Sequence, residues 1–122
     1  MSNHRIIFDY TLPLPPRTWK RARSVGTRRF NEHAMEQAKS TLGWEVKAAA
    51  PGLRCSSSAE FGFRATFHIR NRHHGDGDRY ENLLMDALQG IVWENDEQVM
   101  EGFWRKVYDS GPALTLTIWR IE

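Results

Sequence analysis

Apolar and polar residues alternate along parts of this chain and recur at helical spacing along others. Ile6, Phe8, Tyr10 and Leu12 share one face of the segment Arg5 to Leu12, which predicts a strand. Pro13, Pro15 and Pro16 end it, because proline donates nothing to a sheet ladder. Asn31 is a suitable N-cap for a helix running to about Ala50, with Met35, Ala38, Leu42, Val46 and Ala49 as its apolar stripe. Gly43 is a weak point in that helix, and Pro51-Gly52 stops it. From Ala59 to Arg70 the alternation is strict: Phe61, Phe63, Ala65, Phe67 and Ile69 should face a core, and Glu60, Gly62, Arg64, Thr66 and His68 should face away. Tyr80, Leu84, Ala87, Leu88 and Ile91 form the apolar face of a second helix that reverses at Gly90. Strands are expected from Glu97 to Tyr108 and from Ala113 to Ile121, forming a hairpin about the turn Asp109-Ser110-Gly111-Pro112. The predicted order is β-α-β-α-β-β, an α+β fold with a mixed sheet of about four strands and two helices.

Length and composition set bounds on this picture. At 122 residues and with 40% hydrophobic residues, residues 1–122 are expected to form one domain with a packed core. Cys55 is the only cysteine, which excludes an intramolecular disulfide and a cysteine-rich zinc site. The reducing cytoplasm, of a bacterial cell or a phage-infected host, is the expected compartment. No run approaches the ~18 apolar residues of a membrane span, so no membrane association is expected. The first ten residues lack the apolar stretch of a signal peptide.

Charge changes the picture more. Residues 1–75 carry thirteen basic and five acidic groups, a formal charge of +8. Between Asp76 and Glu101 there are eight acidic residues and one basic residue, Arg79, a formal charge of −7. A basic protein with one acidic centre suggests a polyanion-binding surface around a cation site. Arg17, Lys20, Arg21, Arg23, Arg28 and Arg29 crowd the segment 17–29 with Trp19 and no acid, and Gly26 with its Ser and Thr neighbours reads as a loop. Such a loop suits phosphate contacts and base stacking, and equally a solvated basic surface. Arg72, among Asn71, His73 and His74, leads into the acidic centre and is a further candidate for DNA backbone contact.

Within the centre, Asp76 and Asp78 form an Asp-x-Asp pair, and Asp96 follows eighteen residues after Asp78. Hard divalent cations take oxygen ligands, often one or two carboxylates with waters and substrate phosphate. The reversal at Gly90 offers a way to bring Asp96 back beside the pair. Taken in isolation, an Asp-x-Asp is more often a solvated acidic turn at a helix N-terminus, which favours carboxylates. An EF-hand loop does not fit, since Glu81 would stand at its glycine position and Ala87 at its closing glutamate. Asp78, Asn82 and Asp86 share a helix face, which puts Asp86 up to two turns from the metal and in a supporting role.

The spacing of Asp76, Asp78, Asp86-Ala87-Leu88, Gly90, Asp96 and Gln98-Val99 resembles the RusA family of Holliday-junction resolvases. The resemblance implies that Asp76, Asp78 and Asp96 are catalytic carboxylates that bind magnesium, with manganese as a possible substitute. It also implies a homodimer acting on branched, four-way DNA. The chain departs from the family pattern at several places. Arg79, Tyr80 and Asn82 stand where the family has Asn, Leu and Lys, and Asn95 stands at the first of two family Asp positions. The lysine role therefore does not carry over, although Arg79 offers a charge nearby. The reading is a magnesium-dependent endonuclease that resolves Holliday junctions by paired nicks in recombination and repair. Its alternatives are a non-catalytic or weakly active junction-binding module and a less selective metal-dependent nuclease. Trp44, off the main stripe of the first helix, suggests an apolar surface for a partner, or packs beneath the loop after residue 50.

Overall fold

The computed structural model describes residues 3–13, 25–69, 77–109 and 111–122, with side chains at all of these except 25–35 and 77–80. The elements are β1 (His4–Pro13), α1 (Val25–Ala49), β2 (Glu60–Ile69), α2 (Gly77–Leu88), a 3-10 turn at Asp96–Gln98, β3 (Val99–Tyr108) and β4 (Ala113–Ile121). The fold is α+β, in the predicted order, with four strands in one mixed sheet and two helices packed on it.

The predicted hairpin of the last two strands does not form. The sheet order is β1-β4-β2-β3, so β2 lies between β3 and β4. The cause is visible in β2 itself. Phe61, Phe63, Ala65, Phe67 and Ile69 are buried beneath the helices, and Gly62 and Thr66 on the opposite face are buried too. A strand so enclosed takes the centre of a sheet, with a neighbour on each side. The β2–α2–β3 crossover lays β3 parallel to β2 on one side, as a helical connection requires. The chain then passes across the end of β2, and β4 pairs antiparallel on the other side. Asp109 N–H donates to the Ile69 carbonyl at 3.0 Å to start this passage. At Gly111 a Cβ atom would overlap the His68 carbonyl, so the crossing point has room only for glycine.

Side chains tie the same crossing together. His68 donates from Nδ1 to Asp109 at 2.7 Å, and its Nε2 lies 3.0 Å from the Thr115 hydroxyl. Thr115 in turn lies 3.2 Å from the Thr11 hydroxyl on β1. This row joins the connection to β2, β4 and β1. The hydrogen bond from His68, with a second from Gly111 N–H, holds the Asp109 carboxyl below its ordinary value of 3.8.

The helices differ from expectation at one end. The first begins at Val25, not at an Asn31 cap, so Arg28 and Arg29 belong to a helix rather than to the predicted basic loop. Arginine is a good helix former, and one interior Asn costs only about 0.7 kcal/mol, so the Gly26 and Thr27 signals did not mark a boundary. Of the predicted stripe, Ala38, Leu42 and Val46 are buried and Ala49 packs on the core, while the Met35 side chain lies outside the described ones. Gly43 is a packing site, not a weak point, because a Cβ there would fall 2.8 Å from Ile91 Cδ1 and 3.4 Å from the Ala87 carbonyl. The two helices therefore approach closely along Gly43. Trp44 points away from this contact and is 71% exposed, so it does not pack beneath the following loop.

Two outcomes follow from the crossing over β2. Gly111→Ala should lower unfolding stability by about 1–3 kcal/mol, because the clash is with backbone that cannot rotate away. An unchanged urea midpoint would show that the crossing is not tight. Asp109 has a depressed folded pKa, so its contribution is present above the ordinary value of 3.8 and is lost as pH falls through the lower folded value. Asp109→Asn should therefore make the loss of stability in acid less steep than in the parent. Parallel acid limbs for the two proteins would remove Asp109 from this role.

Candidate metal centre

Asp96 stands on a turn that its neighbours build. The Asn95 side chain accepts from Glu97 N–H at 2.9 Å, capping the 3-10 turn. Gln98 reaches back, its Oε1 accepting from Asn95 N–H at 2.9 Å and from Glu94 N–H at 3.0 Å. Its amide donates at 2.9 Å to both the Ser56 and the Ala59 carbonyls, fastening the turn to the segment that enters β2. Asn95, where the resembled family has Asp, thus serves as a cap that either residue can supply. Asp96 is half-buried, and its Oδ1 accepts from Trp93 Nε1–H at 3.3 Å. Trp93 is fully buried and packs near Phe61 at 5.8 Å between ring centroids, so the donor that orients Asp96 is itself fixed in the core.

The motif between the acidic groups is explained by helix packing. Asp86 pairs with Lys39 of α1 at 3.2 Å. Burial alone would lower the Lys39 pKa, but hydrogen bonds to Asp86 and Glu36 outweigh it and raise the pKa above its ordinary value. Ala87 is small where α2 meets Gly43, and Leu88 is fully buried. Gly90 has φ of 88°, a left-handed conformation that glycine adopts without steric cost. Asp86 is thus a clamp between the helices, in keeping with its expected supporting role.

The length of α2 and the turns after it stand between Asp78 and Asp96 in one chain. Asp78 lies in the first turn of α2. Ten residues separate it from Leu88 at the other end, a rise of about 15 Å. The chain then stays at that far end. Val92 N–H donates to the Leu88 carbonyl at 2.9 Å, Gly90 N–H donates to the Trp93 carbonyl at 2.7 Å, and Trp93 bridges to Ser56. Val99 pairs with Phe61, so Asp96 sits beside the beginning of β2. The reversal at Gly90 turns the chain toward the sheet instead of back along the helix. Among the described residues no three His, Cys, Asp or Glu side chains form a cluster fit for a metal ion. Asp76 lies outside the described residues.

The basic candidates divide in the same way. Arg17, Lys20, Arg21, Arg23 and Arg72 lie outside the described residues, as do His73 and His74. Arg28 and Arg29 lie near the start of α1, and Arg79 lies in the first turn of α2. The row His68, Asp109 and Thr115 was not anticipated, because its members are dispersed in sequence and only the skipped-strand topology brings them together. No helix among the described residues is long and apolar enough to cross a membrane.

Comparison with known proteins agrees with the motif spacing. No curated protein matches the chain. The family model described as endodeoxyribonuclease RusA matches residues 13–119, which include all three candidate carboxylates, both helices, β2 and β3, and β4 apart from its end. A match over that span makes the chain a member of the RusA endodeoxyribonuclease family.

Proposed function

We propose that this protein is a magnesium-dependent, structure-selective endonuclease that resolves Holliday junctions by paired nicks, in recombination and repair. The observation that carries the reading is the family match over residues 13–119 together with aspartates at the three motif positions. Asp76, Asp78 and Asp96 form an all-oxygen donor set, which suits magnesium, with manganese as the alternative ion. A carboxylate offers about four acceptor sites, so Asp96 retains capacity for a cation beside its bond from Trp93. When bound, the ion supplies acidification of water and stabilisation of charge at the scissile phosphate. The chain's own part is to hold the carboxylates still, to carry the DNA backbone on the basic residues 17–29, Arg72 and Arg79, and to leave 5′-phosphate and 3′-hydroxyl ends.

The geometry of α2 also supports a homodimer. Asp78 stands in the first turn of α2, and Asp96 on the 3-10 turn that follows the other end of that helix. A twofold-related copy whose α2 runs antiparallel carries each Asp96 toward the partner's Asp78, making two composite sites for two cuts. The exposed ring of Trp44 offers apolar surface to such a partner. A second reading, a junction-binding module without cleavage, is favoured by one observation: Asn82 stands where the family has lysine.

Mixing two inactive variants tests this reading. Asp78→Asn and Asp96→Asn should each bind a synthetic four-way junction at low salt without nicking it. Co-refolded in equal amounts, they should recover about a quarter of the parent's nicking, since half the dimers would each contain one intact composite site. A mixture that dimerises and binds but does not nick would place each site within one chain. A parent protein that binds junctions yet nicks neither them nor a matched linear duplex in magnesium would favour the binding module. Equal nicking of both would favour an unselective nuclease.

A further inference from the structure

A basic cleft is formed by arginines other than the basic candidates of the sequence. A cleft of about 520 Å³ opens where β1, β4 and the loop after α1 meet. Arg5, Arg54 and Arg120 line it, with Ile6, Leu53 and Phe61 among its apolar walls. The strands account for two of the arginines. Arg5 faces Arg120 across the β1–β4 register, and Arg120 faces Phe61 on β2. The loop brings the third: Ala50 N–H donates to Val46 and Leu53 N–H donates to Ala50, each at 3.0 Å, and this turn sets Arg54 over the sheet.

Like charges directly opposite on paired strands repel. Here they are only partly offset. One carboxylate, Glu122, serves both, at 3.2 Å from Arg5 Nε and 3.8 Å from Arg120 Nε. Among the described residues Arg54 has no carboxylate partner. The carbonyl end of α1 adds the equivalent of only about half a negative charge. The cleft therefore remains positive, with apolar walls beside the charge. That combination fits a phosphate joined to a sugar or base, and the volume suits one nucleotide unit of a backbone rather than a duplex.

Its place in the fold names the source of the phosphate. Ser56 lines the cleft and also carries the Asp96 turn. Ser56 N–H donates to Val92 at 3.0 Å, and its carbonyl accepts from Glu94 N–H at 3.2 Å and from the Gln98 amide at 2.9 Å. Cleft and carboxylate thus share one support. We propose that the cleft of Arg5, Arg54 and Arg120 is a phosphodiester-binding site that grips the DNA backbone on the Asp96 side of the acidic centre. The assignment to DNA rests on the nuclease reading above.

Binding of the full-length protein to a four-way junction and to a linear duplex, without divalent metal and over a range of salt, tests the site. Arg54→Gln/Arg120→Gln should reduce the salt slope by about 0.9 for each phosphate no longer neutralised, and should weaken binding about eightfold per phosphate at 0.1 M salt. Glu122→Gln, which releases two arginines, should tighten binding, a gain that misfolding cannot produce. The duplex arm reads the cleft even if junction selectivity fails. Unchanged slope and affinity in the double variant, at an unchanged unfolding midpoint, overturns the proposal. So does saturation of the cleft by a free mononucleotide at micromolar concentration with DNA affinity unaffected.

Discussion

The burial of the whole apolar face of β2, with Gly62 and Thr66 buried on the other, is the constraint on which the rest of the structure depends. A strand so enclosed needs a hydrogen-bonded neighbour on each edge and cover on its apolar side. The helix that follows it supplies the cover and delivers β3 in parallel. The other edge must be filled by a strand that arrives across the end of β2, and Gly111 and the His68–Asp109 pair are the local means. Helix α2 and the turns that follow it stand between Asp78 and Asp96, and any cation site that uses both must span them.

The spacing of the acidic stretch carries two kinds of information. Asp76, Asp78 and Asp96 are chemical candidates. Asp86, Ala87, Leu88, Gly90 and Gln98 are architectural: an ion pair to Lys39, a close helix contact, a core side chain, a left-handed turn and a tie to the entry of β2. The architectural residues place the turn on which Asp96 stands, so the whole spacing is needed although only three of its members are candidates for the chemistry.

Much of this was legible in the chain. Alternation in β2 and β4 and the apolar stripe of α1 located the core, because burial on one face leaves a period in the sequence. In β1 only Phe8 and Leu12 of the expected stripe are buried, while Ile6, beyond an irregularity in the register, and Tyr10 are exposed. The skipped strand was not legible. A turn of Asp-Ser-Gly-Pro between two strands reads as a hairpin, and nothing local says that a third strand will lie between them. The close approach at Gly43 was hidden for a similar reason, since glycine lowers helix propensity whether or not a neighbour needs the space. The carboxylates were legible as residue types, but the turn on which Asp96 stands required the bonds that hold residues 90–93 at the end of α2. Arg5, Arg54 and Arg120 are scattered singly and form a charged group only after folding.

The indole of Trp93 has one more consequence. It is the driest tryptophan among the described residues, and its N–H rests on a carboxylate of the acidic centre, whereas Trp44 lies mostly in water beneath the Lys47 ammonium at 5.7 Å. The two indoles therefore stand in opposite surroundings, one dry and bonded to the turn that carries Asp96, the other wet on the outer face of α1. A change at the Asp96 turn is felt by the first ring, and a partner that covers α1 is felt by the second.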